Sequence, residues 1–244
     1  MSVVTAEWLD LREPADAAAR STELVERLVR HLPEGELVIH DLGGGGGAMG
    51  RWLAPRLPGP QHWVVHDRDE ALLELAATSF ETRRSDITRL APGDLAGASL
   101  VTASALLDML TADELAGMLR ACSGLPTLIA MTVTGGVTLT PADPLDARLG
   151  AAFNAHQRRD GRLGPDAVAA AAEQLRGEVL FRPSPWRLDA RTGLLTEWLG
   201  GWIAASCEQD PTLDAEAYRE RRLAQAAAGE LAVTVDHADL LALP

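Results

Sequence analysis

Apolar and polar positions alternate along the chain with two different periods. Leu24, Val25, Leu28, Val29 and Leu32 recur at helical spacing, with Glu23, Glu26, Arg27 and Arg30 between them. They predict an amphipathic helix that Pro33 to Glu36 ends. Leu37 to Leu42 is then a short, almost continuous apolar run, the pattern of a buried strand. Five glycines, Gly43 to Gly47, lead into a helix from Ala48 to about Leu57. Gln61 to His66 reads as a second strand, and Asp69 as the cap of a helix through about Thr78. Glu81 to Ser85 and Ala98 to Ser104 read as strands three and four. Thr111 and Glu114 form a capping box for a helix to Cys122, and Leu125 to Thr132 is strand five. Strand and helix alternate five times, which predicts an α/β fold with a mostly parallel sheet and helices on both faces.

Beyond residue 132 the pattern changes. Asp143-Pro144 reads as a helix start and Gly164-Pro165 as another. Glu178 to Leu188 reads as a strand broken by Pro183 and Pro185. Leu194, Leu195, Trp198, Leu199, Trp202 and Ile203 make a helical stripe that survives Gly200-Gly201, and the two tryptophans are read as core. A charged helix to about Ala228 and a strand from Leu231 to Val235 close the chain. His237 follows that strand and is read as structural.

Composition narrows the chemistry. All 22 positive residues are arginine, against 35 Asp plus Glu, for a net charge of −13. Without lysine there is no P-loop NTPase and no Schiff-base enzyme. The acidic balance argues against nucleic acid and anionic membranes as main partners. Cys122 and Cys207 offer neither a metal-ligand spacing nor a disulfide framework. Met1 to Glu7 has no signal-peptide pattern and no apolar run is long enough to span a bilayer, so a cytoplasmic protein is expected.

The informative window is Asp41 to Gly50, where a strand turns into a helix. Glycines there permit a tight turn and close approach of the backbone to a ligand. Gly45-x-Gly47-x-x-Gly50 fits a dinucleotide fingerprint; Asp41-x-Gly43-x-Gly45-x-Gly47 fits an acid-led pattern. Five glycines satisfy both spacings, and Asp41 separates them. A carboxylate repels a pyrophosphate but suits a sulfonium nucleoside carrying an ammonium group. Asp67, at the end of the second strand, stands where a carboxylate reaches a ribose diol.

On these residues the sequence resembles the class I S-adenosylmethionine-dependent methyltransferases, by motif over about residues 37–132 and by layout elsewhere. The C-terminal part looks similar to small methyltransferases of actinobacterial type. The resemblance implies a doubly wound, Rossmann-like sheet with helical additions after strand five. It implies one domain: an N-terminal helical cap (1–36), a cofactor-binding core (37–132) and acceptor-side helices with final strands (133–244). It implies S-adenosylmethionine as cofactor, cradled by Asp41, Gly43, Gly45 and Gly47. Asp67 falls on the ribose position, Arg68 beside the adenine, Asp86 and Ile87 on the adenine edge, and Ser104 between cofactor and acceptor. Arg20 and Arg51 are alternative partners for the cofactor carboxylate.

Methyl transfer needs alignment more than a conspicuous catalytic group, and proximity alone supplies ~7–11 kcal/mol. If the acceptor must lose a proton, Asp108 and His156 are the candidates. Asp108 lies after strand four; His156 shares a helical face with Leu145, Leu149, Ala152 and Phe153. Arg158 and Arg159 are read as solvated. The stretch Ser104-Ala105-Leu106-Leu107 is not the box of amino-directed nucleic-acid methyltransferases, and no Pro-Cys nucleophile occurs. The partner expected is a small organic acceptor, with oxygen, nitrogen and carbon nucleophiles all open, no metal, and room for a homodimer. Two other readings stay open: a non-catalytic cofactor-binding protein, and a nicotinamide oxidoreductase. Asp41, the missing lysine and a single tyrosine, Tyr218, weigh against the last.

Overall fold

The computed structural model describes residues 5–244. Residues 1–4 of the Met1–Glu7 stretch, which carries no signal-peptide pattern, lie outside the described residues. Five parallel strands carry the cofactor-side half: β1 (Leu37–Leu42), β2 (Gln61–Asp67), β3 (Glu81–Arg84), β4 (Leu100–Ser104) and β5 (Thr127–Thr140). Between them run α3 (Ala48–Leu53), α4 (Glu70–Ala76) and α5 (Ala112–Ala121). Ahead of them lie α1 (Ala6–Ala19) and α2 (Thr22–Val29). The rest supplies α6 (Asp146–Gln157), α7 (Ala167–Gln174), β6 (Glu178–Pro183), β7 (Trp186–Leu188), α8 (Leu194–Gln209), α9 (Glu216–Ala227) and β8 (Ala232–Leu243).

The strand order is β3-β2-β1-β4-β5-β8-β6, with β7 on β8 after β6. Contacts from β3 through β5 are parallel, and β8 runs antiparallel to β5, β6 and β7. The order reverses between β1 and β4, and the crevice beyond the carboxyl ends of those strands is where ligands of such sheets bind. Helices cover both faces. Leu37, Ile39, Leu100 and Leu128 pack with residues of α2, α3 and α8; Leu42, Val101, Ala103 and Ile129 pack with α5 and α7. Both faces being buried is why these strands read as apolar runs.

Local chemistry fixes the boundaries. The Asp69 carboxylate accepts from the backbone N–H groups of Ala71 and Leu72, a cap contributing about 1 kcal/mol, and the Thr111/Glu114 box caps α5 reciprocally. Three expectations need correction. The helix expected at Asp143-Pro144 begins at Asp146: Asp143 instead accepts from the Leu145 N–H and donates its own to Asp146, closing a turn. Strand β5 continues through Gly135-Gly136 to Thr140, with its register on β8 shifted between Val133 and Val137, and Asp236 of β8 packs where a Gly136 Cβ would stand. Strand β8 runs on to Leu243, so His237 sits inside it.

Among the described residues no helix is long and apolar enough to cross a membrane, and no group of three or more His, Cys, Asp or Glu could hold a metal.

Candidate cofactor and acceptor site

A cavity of 1660 Å³ opens at the carboxyl ends of β1, β2 and β4 and extends under α1, α6 and α8. Pockets for one small ligand are usually about 300–1,000 Å³, so this one has room for two.

Its floor is the glycine loop. Gly43, Gly45 and Gly47 are left-handed, and the Gly47 N–H closes onto the Gly44 carbonyl at 2.8 Å. Gly44 is required for a different reason. A Cβ there would stand 2.4 Å from Asp41 Oδ2 and 2.8 Å from Val65 Cγ1. The backbone thus lies directly on the acid next to the last residue of β1. Asp41 is fully buried and accepts from Thr102 Oγ1 at 2.7 Å through Oδ1. Its Oδ2 has no partner among the described residues. Burial raises its pKa to about 7, against the pull of the Thr102 hydroxyl and the Arg20 cation.

Asp67 holds the loop from the next strand. Its Oδ2 accepts from the Gly45 N–H at 2.9 Å and its Oδ1 from the Asp69 N–H at 3.0 Å. Each oxygen keeps a further lone pair, and the residue lines the cavity beside Arg68. Asp86 caps a short turn by accepting from the Thr88 N–H and hydroxyl, and it and the mostly buried Ile87 line the far wall. Ser85 is fixed from below by His66, whose Nδ1 lies 3.0 Å from Ser85 Oγ, while His66 Nε2 lies 2.8 Å from His40 Nδ1. Burial lowers the His66 pKa to about 4, so the pair is neutral at pH 7.

Arg20 is the feature that sequence reasoning left undecided. It follows α1, is 4% exposed, and lines the cavity. Its Nη2 donates to Ser104 Oγ at 3.0 Å, and its guanidinium sits over Trp52. Nε and Nη1 have no acceptor among the described residues. Asp16, Asp41 and Asp239 act on it electrostatically, partly offsetting burial, which pulls its pKa down. A buried guanidinium that lines a cavity and keeps unmet donors suits a planar anion. Arg51, the alternative, is already bound to Glu13 and to the Gly46 carbonyl.

The opposite end has a different character. Ala105 and Met131, non-glycine residues with positive φ, both line it. Such conformations cost of order 1–3 kcal/mol and cluster at functional sites. Asp108 lines it too, its pKa raised by burial and drawn back by Arg12 and Arg162. His156 lies at its rim, Nε2 3.3 Å from Glu208 of α8. Arg158 and Arg159 are ion-paired with Asp166 and Glu208. Trp198 stacks on Trp202 at 5.5 Å; both are buried, and Trp198 also reaches the cavity wall. Sequence reasoning missed Arg12, Trp186 and a cavity-lining His237.

The predicted positions therefore converge. Gly43, Gly45, Asp67, Arg68, Asp86, Ile87, Ser104, Asp108 and His156 line one cavity; Asp41 and Gly47 lie behind it, shaping the loop.

No family model and no curated protein matches the sequence. Solved structures do match its fold. A protein described as a type II methyltransferase from Anaeromyxobacter dehalogenans superposes with a TM-score of 0.54 at 17% identity, over 91% of this chain and 96% of that one. The YcgJ protein of Bacillus subtilis gives 0.51 at 13%, over 91% and 99%. A phosphoethanolamine N-methyltransferase of Haemonchus contortus, solved with phosphomonomethylethanolamine and S-adenosylhomocysteine, gives 0.50 at 13%, over 98% of this chain. The chain spans 58% of the length of that last protein. At such identities the likeness is one of architecture. The chain has the Rossmann-like fold of the S-adenosylmethionine-dependent methyltransferases.

Proposed function

We propose that the chain transfers a methyl group from S-adenosylmethionine to a small organic acceptor. One observation carries the reading: a buried arginine, Arg20, lines the cavity that the acid-led glycine loop floors, and two of its nitrogens have no acceptor among the described residues. A zwitterionic amino acid joined to a nucleoside suits this donor set. Arg20 would take its carboxylate, Asp67 its ribose diol, and Arg68, Asp86 and Ile87 its adenine. Asp41 supports the ammonium end from behind the loop with its negative charge. A pyrophosphate would instead face that buried carboxylate, which disfavours a nicotinamide cofactor.

Bound there, the cofactor supplies an electrophilic methyl carbon. The chain contributes orientation, through Arg20 and Ser104 at one end and Asp67 at the other. It also excludes water, through α1, α6 and α8. Asp108 and His156, the two titratable groups that the sequence singles out, line the acceptor side.

The test is calorimetric titration of the wild type and Asp67→Ala with S-adenosylmethionine, S-adenosylhomocysteine and NADH. Binding of the first two, weakened at least about tenfold (~1.4 kcal/mol) in the variant, supports the reading. NADH binding in their place refutes it.

A further inference from the structure

The acceptor end holds an assembly that the reading above leaves unused. Asp16 of α1 accepts from Arg12 Nε and Nη2 at 2.9 and 3.1 Å and from Trp186 Nε1 at 2.9 Å. The Arg12 guanidinium lies 4.8 Å over the Trp186 ring, and His237 packs against that ring at 4.7 Å. Arg12, Trp186 and His237 all line the cavity. They come from α1, β7 and β8, three elements far apart in the chain.

His237 is 3% exposed, and its orientation is fixed. Nδ1 lies 3.0 Å from the Val235 carbonyl, so Nδ1 carries the hydrogen and donates it. That leaves Nε2 bare, with no partner among the described residues. Burial, and then the Arg12 cation, lower the pKa to about 4; Asp16 opposes them. The ring is therefore a neutral hydrogen-bond acceptor across the physiological range. Arg12 Nη1 makes no hydrogen bond among the described residues. Around them the wall is apolar and partly aromatic, with Val133, Phe153, Trp198 and Val235.

We infer that His237 Nε2 receives the proton of the methyl acceptor, and that the acceptor is an aromatic hydroxyl compound. The inference rests on the methyltransferase reading. An ammonium acceptor would be disfavoured by Arg12, whereas an oxygen gaining negative charge would be stabilised by it. The phenolic oxygen's electron pair forms the new O–C bond to the methyl carbon of the sulfonium donor. The C–S pair stays on sulfur, leaving a thioether, and the O–H proton passes to Nε2 as the oxygen becomes acidic. Asp16 is a positioning residue: it holds Arg12 and Trp186, which hold the imidazole.

The experiment titrates 4-nitrophenol into protein saturated with S-adenosylhomocysteine, following its absorbance, for the wild type and His237→Gln. Expected is saturable binding weakened at least about tenfold in the variant, with S-adenosylhomocysteine affinity unchanged within about twofold. A histidine-labelled wild type supplies a second readout that needs no variant: the ¹⁵N resonance of Nε2 shifts on adding 4-nitrophenol. Undiminished binding to a folded His237→Gln, or an unmoved Nε2 resonance, overturns the inference. So does saturable binding of benzylamine that Asp108→Asn abolishes and His237→Gln leaves intact. Failure of the wild type to bind S-adenosylhomocysteine overturns the methyltransferase reading first, and a nitrophenol failure with that ligand bound overturns only this one.

Discussion

The two ends of the cavity are built by different rules. Arg20 apart, the cofactor end is made by residues 41–104, in the turns that follow successive strands of one parallel sheet. Many of its contacts lie within or between neighbouring strand-end turns: Asp67 to Gly45 and Asp69, Asp86 to Thr88. The acceptor end is assembled from α1, β5, α6, β7, α8 and β8, which meet only in the folded chain. One end uses backbone and carboxylates together with Arg20 and Arg68; the other brings arginine, histidine and indole together in one cluster. A fold that fixes the first by local geometry is free to vary the second, which is how one scaffold hosts many acceptors.

Gly44→Ala should separate the ends most sharply. Its Cβ would overlap Asp41 and Val65, both buried in the sheet, so the loop must move. Overpacking of this kind costs about 1–3 kcal/mol, or roughly 2–12 °C of melting temperature for a chain this size. We expect S-adenosylhomocysteine binding to fall below detection by calorimetry while the circular dichroism spectrum is kept. Undisturbed binding would mean the loop is not the cradle.

Arg20→Lys comes next. The charge stays, but the planar fork is lost. Charged hydrogen bonds contribute about 1.5–3 kcal/mol, so S-adenosylhomocysteine affinity should fall roughly 10- to 100-fold. Methylthioadenosine, which lacks the amino-acid end, should bind as to the wild type. Equal losses for both ligands would place Arg20 in the scaffold rather than at the carboxylate.

These residues differ in how far the sequence discloses them. Asp41, the glycines and Asp67 are legible because they stand at the ends of strands buried on both faces, which read as apolar runs; Asp86 follows the exposed, polar β3 and is legible only by its place in the order of motifs. Arg20 is not: it ends an alanine-rich helix, and its partners Ser104, Asp41 and Asp239 lie far along the chain. His237 is hidden for another reason. The alternation that marks β8 stops at Val235, because the inward positions that follow hold His237 and Asp239, the latter accepting from the N–H groups of Ser21 and Met131. Polar side chains with buried partners erase the hydrophobic pattern that betrays a strand. The same holds for α9, whose Arg222 is buried on Asp146 and the Pro141 carbonyl though its helix reads as charged.

Asp41→Asn tests the electrostatics behind the loop. The folded-state pKa is raised from 3.8 to about 7. The contribution of this group is therefore fully present below about pH 4 and is lost as pH rises through about 7. The shift caps that loss at about 4 kcal/mol. An asparagine avoids it but leaves an amide N–H₂ without an acceptor, at a cost of about 1–3 kcal/mol. The variant should gain roughly 1–2 kcal/mol over the wild type by urea denaturation at pH 8 relative to pH 4.5. His66 and His237 titrate alike in both proteins and cancel. At the same time its S-adenosylhomocysteine affinity should drop, since the ammonium end loses its counter-charge. A difference that is flat with pH would show that Asp41 is ionised at little cost, and the cation it awaits would lose its rationale.

Gly200→Ala carries the smallest effect and the opposite sign. Gly200 lies in α8, in helical backbone, with nothing within 4 Å of where a Cβ would stand. Alanine gains about 0.5–1 kcal/mol there by lowering the entropy of the unfolded chain and raising helix propensity. The same glycine-to-alanine change thus breaks the cofactor end and firms the acceptor end. A melting temperature raised by about 1–3 °C, with cofactor affinity intact, would show that α8 tolerates change as an acceptor-side element should. A loss instead would mean that α8 moves as the cavity fills, and that Gly200-Gly201 serve as its hinge.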